Sequence, residues 1–121
     1  MEVRVDRDKP RILSSVFLVR SEHLNHQGHL FGGALMSEID TIAYCLLREL
    51  LPGRTFVTRA AEIAFEHPAR IGDAIRFDAC LLKQGVTSAQ VQVEGWVRDT
   101  RISTARMVYV HIGPNGQKAQ I

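Results

Sequence analysis

The spacing of apolar residues changes twice along the chain. From Gly32 to about Leu51 the apolar residues recur at helical spacing, and Pro52 and Gly53 end the run. The residues before and after it favour strands, either as a compact run of β-forming residues or as alternating apolar and polar positions. The predicted strands are Ile12 to Arg20, Phe56 to Glu66, Ile75 to Leu81, Val91 to Val97 and Ser103 to Ile112.

The connections between the later strands are short. They are predicted at residues 67–73, at Gln84 and Gly85, and at residues 99–101. Because parallel strands need crossovers of a dozen or more residues, these strands are expected to be antiparallel. We therefore expect an α+β domain of order β-α-β-β-β-β over residues 1–121, in which a curved sheet wraps one helix. Its two unpaired sheet edges favour dimerisation through an edge.

Length and composition exclude several classes of protein. The 121 residues suffice for one domain, and 45% apolar with 23% charged residues is typical of a soluble globular protein. A net charge of +2 gives no argument for nucleic acid as a partner. No apolar run is long enough to span a membrane, and residues 1–6 lack the apolar segment of a signal peptide. We therefore expect a cytoplasmic protein.

Cysteine and serine chemistry find no support in the sequence. Cys45 and Cys80 are far apart and have no partner at metal-ligand spacing, so neither a disulfide framework nor a metal site is expected. Neither cysteine has a base close by in sequence, and no Gly-x-Ser-x-Gly motif occurs. Catalysis through a covalent enzyme intermediate is therefore unsupported.

Asp40 is the first candidate for chemistry. At about 100° per residue it falls at the margin of the apolar face of the helix, between Leu47 and Tyr44. A carboxylate that burial keeps partly from water is suited to act as a general base. Helical geometry alone allows a plain surface carboxylate equally well.

The entrance of the helix is the second candidate. Glycines at Gly32 and Gly33 leave backbone N–H groups accessible at the positive end of the helix dipole, where an oxyanion would be stabilised. Glycines before a helix are also common turn residues. Asn25 and His29 flank this entrance, although Asn25 could equally stabilise its own loop and a loop histidine is more often exposed without a role.

A third candidate is the turn that follows Lys83. Together with Gly85, Thr87 and Ser88, this lysine brings a cation, a glycine and two hydroxyls into one hairpin, which could hold a phosphate group. A plain polar turn explains the same residues at least as well.

Residues 25–40 carry a long motif. Asn25-His-Gln-Gly28-His-Leu-Phe31-Gly-Gly-Ala-Leu-Met-Ser-Glu-Ile-Asp40 closely resembles the Asn-x-x-Gly-x-(Ile/Leu)-Phe-Gly-Gly-x-(Leu/Ile)-Met-x-x-x-Asp signature of hotdog-fold acyl-CoA thioesterases, in particular the YciA-like hydrolases. The resemblance continues through nearly the whole chain, at Val57-Thr58, Glu62, Phe65, Pro68, Ile71-Gly72-Asp73, Lys83, Gly85, Ser88, Val93-Glu94 and Trp96-Val97. The chain differs from many relatives at His29, where they carry Asp.

The resemblance implies hydrolysis of acyl-CoA thioesters at sites between two subunits of a dimer or a trimer of dimers. Asp40 would activate water, Asn25 would position that water or the thioester, and the N–H groups of Gly32 and Gly33 would polarise the carbonyl. His29 and Phe31, with Lys83, Gly85, Thr87 and Ser88, would contact the substrate. CoA would be part of the substrate, and no separate cofactor is expected. The alternatives are a hotdog dehydratase or hydratase and a non-catalytic acyl-CoA-binding module.

Overall fold

A computed structural model gives the structure of the protein and describes residues 12–121. Five strands and one long helix follow each other in the order β-α-β-β-β-β. The elements are β1 (Ile12–Leu18), α1 (Gly32–Leu50), β2 (Thr55–Phe65), β3 (Ala74–Gln84), β4 (Ser88–Val97) and β5 (Thr100–Ile112), with a short 3₁₀ turn at Ser21–His23. The predicted fold class and element order are therefore confirmed.

All five strands form one antiparallel sheet of order β1-β3-β4-β5-β2. β1 and β2 are thus the two edge strands. Most residues of β2 are exposed, including Val57 and Phe65 at 47% and 56%. An exposed edge strand of this length offers unpaired backbone groups to another strand.

The core lies between α1 and one face of the sheet. Seven helix residues are buried at helical spacing, in accord with the predicted apolar face. They are Leu35, Ile39, Ile42, Ala43, Leu46, Leu47 and Leu50. The strands contribute alternating inward residues to the same core. These are Phe56, Ile75, Phe77, Ala79, Ala89, Val91, Val93, Ala105, Met107 and Tyr109.

A β-bulge at Arg59 changes which residues of β2 face the helix side of the sheet. Thr58 pairs with Tyr109, but the next paired residue is Ala60, opposite Val108. Because side chains alternate along a strand, the extra residue reverses the alternation. Thr58 and Ile63 can therefore lie on the same inward face. In a regular strand, residues five positions apart would lie on opposite faces.

Several predicted boundaries need correction. The prediction of a connection at residues 99–101 is wrong, because β5 begins at Thr100 and the turn consists of Arg98 and Asp99. Arg98 has a φ of 53°, a backbone conformation that few non-glycine residues adopt and that the residue type does not predict. β1 ends at Leu18 rather than Arg20. The prediction about a signal segment at residues 1–6 lies outside the described residues, as does the start of the predicted domain.

Candidate active site

The carboxylate of Asp40 is held by two hydroxyl groups. Tyr109 donates a hydrogen bond from its hydroxyl to Oδ1 of Asp40 at 2.6 Å. Thr58 donates to the same oxygen from Oγ1 at 3.1 Å. Asp40 itself is half-buried, in agreement with its predicted place at the margin of the apolar helix face. The carboxylate is therefore oriented by the sheet while it remains accessible from outside.

The sheet register explains why these two hydroxyls meet at one atom. Tyr109 and Thr58 are direct cross-strand partners on β5 and β2. Tyr109 belongs to the inward residues of β5, and its side chain is fully buried. The bulge at Arg59 follows Thr58 directly. Bulges of this kind often re-aim side chains beside active sites.

Tyr109 remains protonated over the working pH range. Burial, together with the hydrogen bond to Asp40 and the charge of Asp40, raises the pKa of the phenol far above its usual value. The hydroxyl can therefore serve as a donor to the carboxylate, and it is unsuited to act as a base.

Asn25 stabilises its own loop. Its Oδ1 accepts the backbone N–H groups of Gln27 at 2.9 Å and of His29 at 3.1 Å, while its backbone N–H donates to the carbonyl of His29 at 2.7 Å. Gly28, with a φ of +79°, closes the turn in a conformation that favours glycine. The structure thus shows the loop-stabilising role that the sequence left open for Asn25. Its side-chain N–H₂ group remains available to a substrate.

The first N–H groups of α1 are free to bind a ligand. The carbonyl of Phe31 accepts the N–H groups of Ala34 at 3.0 Å and Leu35 at 3.1 Å. Within residues 12–121 no acceptor takes the N–H groups of Gly32 and Gly33. A Cβ at Gly33 would collide with the exposed ring of Phe31. The backbone here therefore offers free N–H donors, and the glycines leave them accessible, as an anion site requires.

A cleft of about 330 Å³ opens beside this helix entrance. Asn25, His29 and Gly32 line one side, and Phe65 and His67 are among the residues opposite. The structure therefore brings three of the predicted site residues together, but Asp40 does not line this cleft. A larger groove of about 890 Å³ lies between β1 and α1 and contains none of the predicted site residues.

The predicted phosphate hairpin lies away from the helix entrance. Gly85 donates its N–H to the carbonyl of Ser88 at 2.7 Å, and the carbonyl of Thr87 accepts the N–H of His111 at 2.8 Å. Lys83 is exposed and pairs with Gln90, which alternates with inward-facing residues of β4. Lys83 therefore projects from the face of the sheet opposite to α1.

Two residues of the site, Thr58 and Tyr109, were not identified as site residues from the sequence. The sequence singles out Thr58 only within the resemblance, and it places Tyr109 in the predicted strand Ser103 to Ile112 without a role. A signal for Tyr109 exists, because a tyrosine at an inward strand position needs a hydrogen-bond partner for its hydroxyl.

The described residues contain no cluster of three or more His, Cys, Asp or Glu side chains able to hold a metal ion. They also contain no helix with the length and apolar composition needed to cross a membrane.

Comparison with known proteins identifies relatives of one kind. A family profile described as "Thioesterase superfamily" matches residues 27–104. The acyl-CoA thioester hydrolase YciA of Salmonella typhimurium is 30% identical over 102 residues, which cover 77% of each chain. The corresponding protein of Escherichia coli K12 is 29% identical over the same length and coverage.

Solved structures agree with these sequence relatives. A hexameric broad specificity acyl-coenzyme A thioesterase, crystallised as an aspartate-to-alanine mutant, is 28% identical with a TM-score of 0.82, over 93% of this chain and 87% of that one. A hexameric thioesterase of Yersinia pestis is 26% identical with a TM-score of 0.81, over 88% of this chain and 92% of that one. The hotdog fold implied by residues 25–40 is thereby confirmed.

Proposed function

The chain belongs to the thioesterase superfamily as a relative of the YciA acyl-CoA thioester hydrolases, and we propose that it hydrolyses acyl-CoA thioesters with Asp40 as the general base. The observation that carries the proposal is the carboxylate of Asp40, half-buried and held through Oδ1 by Tyr109 and Thr58. A carboxylate oriented in this way can accept a proton from a water molecule placed beside it.

The reaction needs few groups. Water attacks the thioester carbonyl carbon, its oxygen forms the new C–O bond, and its proton passes to Asp40. The C–S bond of the tetrahedral intermediate then breaks, and the proton held by Asp40 passes to the departing thiolate of CoA. The products are a free acid and CoA. No covalent bond to the protein is required, in agreement with the absence of a nucleophile motif in the sequence.

The free N–H groups of Gly32 and Gly33 are proposed to stabilise the oxyanion. They lie at the positive end of α1, where negative charge is favoured. Asn25 would add its side-chain N–H₂ group, because its Oδ1 is engaged within the loop. Donors of this kind act on the charge that develops in the transition state.

One chain alone does not fit this assignment. Asp40 lies eight residues after Gly32 on α1, which corresponds to about 12 Å along the helix axis. A base and an oxyanion donor that serve the same carbonyl group lie closer together than this, because the path from base through water and carbonyl to donor has three contacts of about 3 Å each and bends between them. We therefore assign the two groups of one site to two copies of the chain.

The edge strand β2 offers a way to bring two copies together. Asp40 contacts Thr58 near the start of β2, whereas a Cβ at Gly32 would lie 3.7 Å from the ring of Phe65 at its end. Antiparallel pairing of β2 with its copy places the start of one strand beside the end of the other. Asp40 of one copy would then approach the helix entrance of its partner. This supports a dimer, or a larger assembly built from dimers.

A thiol-release assay tests the proposal. The purified protein is offered acetyl, medium-chain, long-chain and aromatic CoA esters, in parallel with an Asp40→Asn variant. We expect release of CoA from at least one ester, and a fall in kcat of about 10² to 10⁴-fold in the variant, as for the loss of a general base. Binding of CoA esters without turnover would contradict the proposal and favour the non-catalytic module.

A further inference from the structure

The buried hydroxyl of Tyr109 has a role in catalysis beyond packing. We propose that Tyr109 is a positioning residue, which holds Oδ1 of Asp40 and thereby directs Oδ2 toward the attacking water. The inference rests on the proposed function, because it assigns a task to the base of that reaction.

The contact is short and comes from a rigid part of the molecule. The hydroxyl of Tyr109 lies 2.6 Å from Oδ1 of Asp40 and 3.5 Å from the backbone carbonyl of the same residue. The side chain is fully buried on β5, so the core fixes the ring. A carboxylate on a helix can rotate about two side-chain bonds, and this hydrogen bond restricts both of them.

The two oxygens of the carboxylate have different surroundings. Tyr109 and Thr58 both donate to Oδ1. Across residues 12–121 no hydrogen bond reaches Oδ2, and no ion pair involves Asp40. One oxygen is therefore anchored to the sheet, and the other is available to a water molecule.

Tyr109 orients the base and does not replace it. Burial and the neighbouring carboxylate keep its phenol protonated. The two groups that face Asp40 from β5 and β2 are hydroxyls without charge, so they hold the carboxylate through hydrogen bonds alone. Loss of the Tyr109 hydroxyl should thus affect the direction of Oδ2.

The chain offers a matched control for this residue. Tyrosine occurs at two positions, Tyr44 and Tyr109. Tyr44 lies one helical turn after Asp40 and packs half-buried against the core. The exchanges Tyr109→Phe and Tyr44→Phe each remove one hydroxyl oxygen and keep the ring. Effects of a general loosening of the core should appear in both variants.

We expect Tyr109→Phe to lower kcat by about 10-fold to 100-fold, with KM changed less than about twofold, because one hydrogen bond to a charged group is lost. Tyr44→Phe should keep the kcat of the wild type. An unchanged kcat in Tyr109→Phe would overturn the inference.

A second measurement does not depend on the folding of Tyr109→Phe. In the Tyr44→Phe protein Tyr109 is the remaining tyrosine, so its ionisation can be followed by ultraviolet absorbance. We expect no tyrosinate near pH 10, and ionisation at lower pH once Asp40→Asn is added. Ionisation near pH 10 in Tyr44→Phe alone would overturn the inference. Wild-type protein that hydrolyses no thioester would contradict the proposed function instead, whatever the titration shows.

Discussion

Oδ1 of Asn25 accepts the backbone N–H of His29 at 3.1 Å, and so ties the side chain to its own loop. This contact separates two roles that the sequence left open. The carboxamide oxygen stabilises the turn through Gln27 and His29, whereas the N–H₂ group is available to a substrate. A catalytic contribution from Asn25 would therefore be that of a hydrogen-bond donor.

Asn25→Asp should separate these roles, because the exchange keeps an oxygen for the turn and removes the donor. We expect a melting temperature close to that of the wild type and a kcat lowered by about 10² to 10³-fold, as for the loss of an oxyanion donor. Asn25→Ala is the companion variant, and it should lose stability as well as activity. Full activity of Asn25→Asp would leave Asn25 as a loop residue only.

Lys83→Ala tests the hairpin. If Lys83 holds a phosphate of CoA, the variant should raise KM for CoA esters and leave kcat nearly unchanged, because the contact is remote from the scissile bond. The position of Lys83 on the sheet face opposite to α1 makes a contribution to the chemistry itself unexpected. A thioester of a small thiol without a nucleotide is the control. An equal response of both substrates would make the hairpin purely structural.

Glu66 should link stability to pH. The hydroxyl of Thr104 donates to it at 2.6 Å, and Arg101 pairs with both of its oxygens, so the pKa of Glu66 lies below its usual value of 4.5. The stabilisation is present above that usual value and is lost as the pH falls through the lowered pKa. Urea unfolding should show wild type more stable than Glu66→Gln at pH 7, with the difference shrinking below pH about 4. A difference independent of pH would contradict this account.

The sequence predicted most of the fold because the spacing of apolar residues is a local property. The helix from Gly32 and the antiparallel strands follow from that spacing. The position of β2 at the edge beside β5 depends on contacts between distant parts of the chain. The bulge at Arg59 and the positive φ of Arg98 depend on local backbone geometry that the residue types do not reveal.

The sequence predicted the role of Asp40 in the site but not that of Tyr109. Asp40 was found because its place on the helix face and the motif around it agree. The hydrogen bond from Tyr109 joins residues 69 positions apart in the sequence, so only the sheet register brings them together. The same limit applies to Asn25 and Asp40, whose proposed meeting requires a second chain.

Each active site is proposed to take Asn25 from one copy and Asp40 from its partner, and mixed dimers can show this sharing. Homodimers of Asn25→Asp and of Asp40→Asn should both be nearly inactive, because every site lacks one group. Refolding an equal mixture makes about half of the dimers mixed, each with one intact site, so activity should return to about a quarter of wild type. An absence of recovery, with mixed dimers verified by native mass spectrometry, would contradict the shared site.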